Sequence, residues 1–352
     1  MYRDITIDEA MSTNNACYID LRSENEYAED RIPGAINVPL FNNEERARIG
    51  TVYKQVSVEE AKKLGLEIAG SKLSKLYQQI KEYSKGKILI VYCWRGGMRS
   101  QFVASVLSSM GLPVRRIVGG YKAYRKQVYS YLYNVELPHN AVVLHGLTGV
   151  GKTHILERLE AMGAPVLDLE NLAANRGSVY GKINMPPSPS QKLFETKLAE
   201  KLKSFEKVNY FFVECESRRL GRLYVPPAVY KKINTGCRVL LYASLSTRVK
   251  RIIADYTGGE NKNIRELQES TAKLAKYLGK NKVEELNQML EQQEFEAVFT
   301  YLLTKYYDPL YKYPQQPDNN YDCNVDCENL DLAAEKIFQH FKAKWGCDVS
   351  GR

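Results

Sequence analysis

The stretch VVLHGLTGVGKTHILERL, residues 142–159, decides the fold of the second half of the chain. An apolar run leads into G-x-x-x-x-G-K-T and then into helical spacing, which predicts a strand, a phosphate-binding loop and a helix. Lys152 would neutralise phosphates, and the Thr153 hydroxyl would reach a Mg²⁺ ion. The motif indicates a diphosphate or polyphosphate and leaves the rest of the ligand open. The predicted diphosphate-binding residues are Gly146, Thr148, Gly149, Gly151, Lys152 and Thr153.

Acidic and basic residues follow the neighbouring strand candidates APVLDLE and NYFFVECES. Glu214 is the candidate catalytic residue that would hold a metal-bound water, with Glu216 as the alternative. Other polar residues at these strand ends could bind a substrate anion or close over it. The candidate substrate-binding residues are Asp168, Glu170, Arg176, Ser178, Arg218 and Arg219.

Strands that alternate with helices predict a parallel α/β sheet, and the pattern occurs twice along the chain. In the first half, CYIDLR and KILIVYC predict strands, and SQFVASVLSSMG predicts a helix that ends at Gly111. We predict an α/β fold with an N-terminal parallel-sheet domain over residues 1–128 and a connector over 129–140. A P-loop NTPase-like α/β domain would occupy residues 141–352, with a helix-rich part at about 260–310.

A cysteine stands where the strand KILIVYC ends, in the stretch VYCWRGGMRS, residues 91–100. Loops at the carboxyl end of a parallel strand line the ligand crevice of open α/β sheets. Inward-turned amides, a helix N-terminus and two arginines would stabilise a Cys93 thiolate, or hold an anion or a chalcogen carried on sulfur. The candidate catalytic residues here are Cys93, Arg95 and Arg99. The other loop residues are Trp94, Gly96, Gly97, Met98 and Ser100.

Composition limits the class of protein. The net charge of +9 favours a polyanionic partner without requiring one. Seven cysteines in 352 residues do not form a disulfide-framework pattern, and reduced thiols fit a cytoplasmic protein better. The start, MYRDITIDEA, has no signal-peptide pattern, and we expect no membrane association.

The N-terminal motifs YIDLRSENEYAEDRIPGAINVPL, VYCWRGGMRS and VGGYKAY resemble those of rhodanese domains. Rhodaneses carry sulfur or selenium on the loop cysteine, and the resemblance implies a structural role for Asp20 and Arg22. Five residues separate Cys93 from Arg99, which is one more than in many sulfurtransferases and resembles cysteine phosphatases. Loop length therefore leaves chalcogen transfer and phosphate-ester hydrolysis both open.

Five motifs in order, CWRGGMRSQ, GLTGVGKT, DLENLAANRGSVYG, FVECESRRLGRLYVP and YYDPLY, resemble the tRNA 2-selenouridine synthase family. The resemblance implies a transferase that acts on 2-thiouridine at the wobble position of tRNAs for lysine, glutamate and glutamine. Geranyl diphosphate would alkylate the sulfur, and selenophosphate would then replace it with selenium. This chain departs from the family pattern HRGS at Asn175, which removes any role for a histidine there and leaves Arg176 in place.

Because a P-loop can hold a diphosphate and an arginine-flanked thiol loop can hold a small anion, our hypothesis assigns geranyl transfer mainly to the P-loop domain and selenation to the Cys93 loop. No tightly bound cofactor is expected; selenophosphate and geranyl diphosphate are co-substrates, with Mg²⁺ as a candidate ion. An enzyme that supplies selenophosphate is a candidate protein partner. Basic residues beside the two loops would contact tRNA, and nearby tyrosines either stack on bases or pack between the domains. The candidate RNA contacts are Arg115, Arg116, Lys122, Arg125, Lys126, Arg218, Arg219 and Arg222, with Tyr121, Tyr124, Tyr129, Tyr131 and Tyr133.

Two other functions remain open from the residues alone. A cysteine phosphatase fused to a nucleotide-dependent kinase would use Cys93 as a nucleophile and need no tRNA. A nucleotide-switched binding protein would carry an inert rhodanese module, and the intact Cys93 loop argues against it. For Arg248 and Arg251 we expect a solvated helix face, with a phosphate-sensing arginine as the alternative. YYDPLYKY is expected to pack on the P-loop domain.

Overall fold

The computed structural model describes residues 1–183, 185–205, 207–215, 217–257 and 264–345. The chain forms two compact units. Unit 1 comprises residues 1–134 together with 190–199, and unit 2 comprises 135–189 and 200–352. Among the described residues, no helix is both long enough and apolar enough to cross a bilayer.

Unit 1 is built on a five-stranded parallel sheet with strand order β1-β5-β4-β2-β3. Its strands are β1 (Arg3–Ile5), β2 (Ala16–Asp20), β3 (Ile36–Asn37), β4 (Ile88–Tyr92) and β5 (Val114–Ile117). Its helices are α1 (Ile7–Met11), α2 (Glu24–Glu29), α3 (Asn43–Gln55), α4 (Val58–Tyr83), α5 (Met98–Ser109) and α6 (Gly120–Tyr133). The predicted strands and the predicted helix of this half are confirmed.

The central position of β4 explains its continuous apolar run. It lies between β5 and β2, and the residues from Leu89 to Tyr92 are almost completely buried. A strand covered on both faces needs apolar side chains at every position instead of at alternate ones. The chain therefore leaves the sheet at Cys93, at the carboxyl edge, and enters α5 five residues later.

Unit 2 has a second parallel sheet of five strands, in the order β12-β11-β6-β8-β7, and a small antiparallel pair. Its strands are β6 (Asn140–His145), β7 (Val166–Leu167), β8 (Tyr210–Glu214), β9 (Arg219–Leu220), β10 (Leu223–Tyr224), β11 (Cys237–Tyr242) and β12 (Cys323–Asp326). Strand β6 is central, so the loop after it opens at the middle of the carboxyl edge.

The helices around this sheet are α7 (Lys152–Ala161), α8 (Leu169–Ala173), α9 (Gln191–Lys203), α10 (Pro227–Thr235), α11 (Leu245–Thr257) and α17 (Leu330–Trp345). The helix-rich part contains α12 (Ile264–Ala272), α13 (Ala275–Leu278), α14 (Lys280–Glu291), α15 (Phe295–Leu302), a π-helical turn (Leu303–Tyr307) and α16 (Asp308–Tyr311). It has its own apolar core, which includes Leu286, Val298, Phe299 and Leu302, and the predicted helix-rich segment is confirmed.

The structure places two boundaries differently from the sequence pattern. Helix α6 continues to Tyr133, through the first residues of the segment that we predicted as a connector. Residues 190–199, which we assigned to the second domain, pack in unit 1. There Thr196 Oγ1 donates to Asp30 Oδ2 over 3.1 Å, and Tyr133 Oη donates to Glu195 Oε1 over 2.8 Å. Such polar contacts join residues far apart in sequence and leave no local pattern.

Candidate active sites

The first candidate site is the loop after β4 in unit 1. Cys93 is 3% exposed, and its Sγ lies 3.2 Å from Oγ of Ser100, which is completely buried in the first turn of α5. A hydroxyl at this distance can donate a hydrogen bond to a thiolate. The loop therefore combines a shielded sulfur with a donor and the amino end of a helix.

The segment between β5 and α6 closes against the thiol loop. The Tyr121 amide donates to the Cys93 carbonyl oxygen over 2.9 Å, and the Lys122 amide donates to the Trp94 carbonyl oxygen over 3.0 Å. Gly120 has a φ of +55°, and a Cβ there would lie 2.2 Å from the Cys93 carbonyl oxygen. Only glycine fits this close approach, so the GG of VGGYKAY shapes the thiol loop.

The two loop arginines have different environments. Arg95 is exposed, as are Gly97 and Met98, whereas Arg99 pairs with Glu26 through an Nη1–Oε2 contact of 2.9 Å. Burial raises the pKa of Glu26, but the hydrogen bond and charge of Arg99, together with the Ser23 amide and the charge of Arg46, hold the pKa below its usual range. Glu26 therefore stays ionised and holds the Arg99 guanidinium.

Asp20 and Arg22 form the buried support that the rhodanese resemblance implied. Arg22 Nη2 lies 2.6 Å from Asp20 Oδ2 and also donates to the Asp30 carbonyl oxygen. The guanidinium carbon lies 4.0 Å from the centroid of the Tyr121 ring, so it packs on the aromatic side chains beneath the loop. Trp94 is half-buried, with its ring 5.2 Å from that of Tyr121.

The second candidate site is a cavity of about 630 Å³ in unit 2, at the carboxyl edge of β6. Lys152 Nζ donates to the Gly146 carbonyl oxygen over 3.0 Å, which folds its side chain back over the loop. A Cβ on Gly146 would lie 2.4 Å from the Leu241 carbonyl oxygen. Only a glycine at this position therefore allows the loop to lie so close to β11. All six predicted diphosphate-binding residues line this cavity.

Helix α11 holds the phosphate loop from behind. Arg248 is 2% exposed and donates from Nε to the Thr148 carbonyl oxygen over 2.8 Å, and Arg251 Nη1 donates to the Val150 carbonyl oxygen over 2.8 Å. Our expectation of a solvated helix face is wrong for Arg248, because Asp308 neutralises its charge inside the unit. Arg251 lines the cavity.

The acidic candidates occupy different positions. Glu214, at the end of β8, and Glu170, in α8, are buried and line the cavity. Burial raises the pKa of Glu170, against the opposing charges of Lys152 and Arg176. Asp168 does not line the cavity; it caps α8 by accepting from the Asn171 amide over 2.8 Å. Glu216 lies outside the described residues.

Arg176 lines the cavity and lies in a turn that is closed by a backbone hydrogen bond. Its amide donates to the Gly181 carbonyl oxygen over 2.9 Å, and its Nη1 is buried without a hydrogen-bond partner in the described part of the chain. Ser178 also lines the cavity and bonds Tyr256 Oη at 2.8 Å. Arg219 lines the cavity, whereas Arg218 does not. A cationic wall of this kind, facing loop amides, can hold a diphosphate.

Sequence reasoning missed the aromatic part of the same cavity. The tyrosines that line it are Tyr256, Tyr277, Tyr306, Tyr311 and Tyr313. They come from α11, α13 and the residues around α16, so no single motif contains them. The nearest signal was YYDPLYKY, which packs on the P-loop unit as expected, through Asp308.

Comparison with known proteins finds a matching family model for each half of the chain. The model of the rhodanese-like domain matches residues 6–127, and that of the tRNA 2-selenouridine synthase AAA domain matches residues 139–330. The chain belongs to the tRNA 2-selenouridine synthase family. This bears out the family resemblance and the two α/β domains inferred from the sequence.

Relatives from Nitrosomonas and Pseudomonas are similar to this chain over most of its length. The tRNA 2-selenouridine synthase of Nitrosomonas eutropha is 37% identical over 253 residues, which cover 70% of this chain and 64% of that protein. That of Pseudomonas syringae pv. syringae is 33% identical over 336 residues, covering 87% and 90%. A solved N-terminal domain of a putative ATP/GTP binding protein from Clostridium difficile 630 is 42% identical, covers 35% of this chain and 97% of its own, and has a TM-score of 0.34.

Several residues that we predicted to contact RNA form ion pairs or packing contacts within unit 1 of this family member. Arg116 pairs with Asp4 at 2.6 Å, Arg125 pairs with Glu195, and Tyr121 and Tyr124 are buried. These two tyrosines are packing residues of unit 1. Tyr129 is half exposed and stacks on Tyr133, with ring centroids 4.4 Å apart.

Proposed function

We propose that this protein replaces sulfur by selenium in 2-thiouridine at the wobble position of tRNAs for lysine, glutamate and glutamine. The name shared by its relatives supports modification of tRNA to 2-selenouridine. The observation that carries the proposal is a cavity lined by the phosphate-loop motif and by the shielded side chains of Ile252, Tyr256 and Leu274, in the same chain as a buried thiol on a rhodanese loop. The first suits a prenyl diphosphate and the second a small chalcogen anion.

In the first step, the thiocarbonyl sulfur attacks the allylic carbon of geranyl diphosphate. The carbon–oxygen bond breaks, its electron pair leaves with pyrophosphate, and the base loses its N3 proton. Lys152, Arg176 and the loop amides receive the negative charge that develops on the leaving group. Alkylation is needed because sulfur double-bonded to carbon is a poor leaving group, whereas a thioether sulfur leaves as a thiol.

The oxygen donors of the cavity fit a Mg²⁺ ion bound together with a diphosphate. The Thr153 hydroxyl and the Glu214 carboxylate both line the cavity, and Mg²⁺ in such sites takes few protein ligands and several phosphate oxygens. The ion would neutralise part of the pyrophosphate charge. Thr153 and Glu214 would hold it directly or through water.

In the second step, the selenium of selenophosphate attacks carbon 2 of the base. The carbon–sulfur bond breaks, geranyl thiol leaves with a proton, and water then cleaves the phosphorus–selenium bond to release phosphate. The loop from Cys93 to Ser100 would bind the selenophosphate dianion through its amides and Arg95. Cys93 would help to bind and activate the selenophosphate, and the Ser100 hydroxyl would hydrogen-bond its sulfur.

Mass spectrometry of nucleosides tests the two steps. Thiolated tRNA is incubated with geranyl diphosphate and then with selenophosphate, using wild type, Lys152→Ala and Cys93→Ala. We expect geranylated uridine and then selenouridine from the wild type. Lys152→Ala should lose the first step, and Cys93→Ala should accumulate the geranylated nucleoside.

Matched variants control for nonspecific damage. Lys207→Ala removes an exposed lysine of unit 2 that does not line the cavity, and Cys17→Ala removes another buried cysteine of unit 1. Both should keep both steps. If the wild type leaves thiouridine unchanged under all conditions, the proposal fails, and release of phosphate from an aryl phosphate becomes the next assay.

A further inference from the structure

Tyr277 is the most exposed of the five tyrosines that line the cavity of unit 2, followed by Tyr311 at 41%. It is 60% exposed, whereas Ile252, Tyr256 and Leu274, which line the same cavity, are 5%, 8% and 0% exposed. A large aromatic side chain left in water at the mouth of a cavity loses the burial that normally stabilises it. Its position therefore suggests a partner that covers the ring.

Two exposed lysines flank this ring in the short stretch Lys273–Tyr277. Lys273 and Lys276 line the cavity as well, and Lys276 Nζ lies 4.6 Å from the centroid of the Tyr277 ring. Tyr306 supports the ring from another direction, with centroids 5.6 Å apart and planes inclined by 50°. The result is an aromatic surface packed against one neighbouring ring and bordered by two exposed lysines.

We propose that Tyr277, Lys273 and Lys276 form a platform on which an unpaired base of the RNA substrate stacks at the mouth of the P-loop cavity. This rests on the proposed function, which supplies the RNA. Single-stranded RNA is bound where aromatic rings stack on bases and nearby cations meet the backbone phosphates. On binding, the base takes the ring face that Lys276 covers, and the Lys276 ammonium moves to a phosphate.

The exposure and charge of this platform favour a base over the prenyl chain. A hydrocarbon chain gains from surfaces shielded from water, and two ammonium groups beside it would lose hydration without gaining a partner. A stacked base instead brings its own phosphates, which pair with both lysines. The prenyl chain has the shielded side chains of the same cavity available to it.

Fluorescence anisotropy with an anticodon stem-loop RNA that contains 2-thiouridine tests the platform. Tyr277→Ala should weaken binding by about 5- to 150-fold, the range for loss of one base–aromatic stack, while Tyr277→Phe should bind like wild type. Lys276→Gln should lower the slope of log K against log salt by about 0.7, as expected for one lost phosphate contact. Tyr53→Ala is the control, since Tyr53 is 52% exposed in unit 1 and does not line the cavity.

The outcomes separate this proposal from the proposed function. If wild type does not bind the RNA, the function itself fails. If wild type binds and Tyr277→Ala binds equally well, only the platform is overturned. Binding of geranyl diphosphate, followed by calorimetry, should be unchanged in Tyr277→Ala; weaker binding of the diphosphate with unchanged RNA affinity would identify Tyr277 as a prenyl contact and overturn the platform.

Discussion

Arg248 and Asp308 form an ion pair inside unit 2, with Nη2 2.5 Å from Oδ1 and Nη1 3.0 Å from Oδ2. The same guanidinium donates through Nε to the carbonyl oxygen of Thr148 in the phosphate loop. Asp308, in the DPLY segment, is therefore linked to the phosphate loop through Arg248. This contact gives the C-terminal motif a role in shaping the phosphate-loop motif, residues 146–153.

Replacement of Asp308 by alanine should destabilise unit 2 and weaken diphosphate binding. The change leaves the Arg248 charge buried and unpaired, which costs about 3–5 kcal/mol. Urea unfolding gives the stability, and calorimetry with inorganic pyrophosphate gives the affinity. Asp331→Ala is the control, because its pair with Arg158 is largely exposed and should contribute less than about 1 kcal/mol. If Asp308→Ala and Asp331→Ala lost equal stability and equal pyrophosphate affinity, the Asp308–Arg248 pair would have no special role in supporting the phosphate loop.

Replacement of Ser100 by alanine should slow alkylation of Cys93. The Ser100 hydroxyl lies 3.2 Å from the sulfur, and a hydrogen bond to a charged group contributes about 1.5 kcal/mol or more. Iodoacetamide should therefore react about threefold more slowly at neutral pH, because a stabilised thiolate is also less nucleophilic; mass spectrometry of the Cys93 peptide follows the reaction. Ser105→Ala, on the exposed side of the same helix, should leave the rate unchanged. Equal rates in wild type and Ser100→Ala would rule out this stabilisation.

Replacement of Gly120 by alanine should damage the thiol loop more than backbone strain alone explains. Gly120 and Gly86 have similar φ values, +55° and +68°, but a Cβ meets the Cys93 carbonyl oxygen only at Gly120, and nothing lies within 4 Å at Gly86. Gly86→Ala should cost about 1–2 kcal/mol, the usual strain of alanine at positive φ. Gly120→Ala should cost more and should also reduce selenation. If urea unfolding shows the same loss of stability for both variants, the close approach of Gly120 to the Cys93 carbonyl oxygen does not affect stability.

Replacement of His145 by phenylalanine should reduce the pH dependence of stability. Burial, with the charges of Arg238 and Lys152, lowers the pKa of His145 to about 4 from its ordinary 6.5. The unfolded chain therefore binds a proton at a higher pH than the folded one, and stability falls as the pH drops from about 6.5 to 4, by up to about 3 kcal/mol.

Phenylalanine cannot be protonated and can keep the ring contacts with Tyr313 and Tyr321, whose centroids lie 5.8 and 5.6 Å from that of His145. Urea unfolding midpoints between pH 4 and 8 measure the effect. His340→Phe serves as the control, because His340 is exposed near the end of the chain. A wild-type slope that persists in His145→Phe would assign the pH dependence to other groups.

The features that could be predicted from the sequence depend on residues that are close together in the chain. The phosphate loop and the thiol loop each follow an apolar strand and precede a helix, and both lie at the carboxyl edge of a parallel sheet as expected. The positions of Lys152, Glu214 and Arg176 around one cavity also follow from strand ends that meet at this edge.

Long-range pairs account for what could not be predicted. Arg248 is 100 residues from Thr148, and Arg99 is 73 residues from Glu26. An arginine on a helix has the same appearance in the sequence whether it is solvated or buried against a carboxylate. Asp168 shows the opposite case, because a strand-end acid that resembled a ligand caps a helix instead.

The sequence by itself determined the two α/β domains, the two loops and the residues within them, because turn glycines and apolar runs act over a few neighbouring positions. Only the tertiary structure decided which arginines support a loop and which line the cavity, that residues 190–199 pack in unit 1, and that tyrosines from several helices line one cavity. The physical reason is that burial and charge pairing depend on which distant segments the folded core brings together.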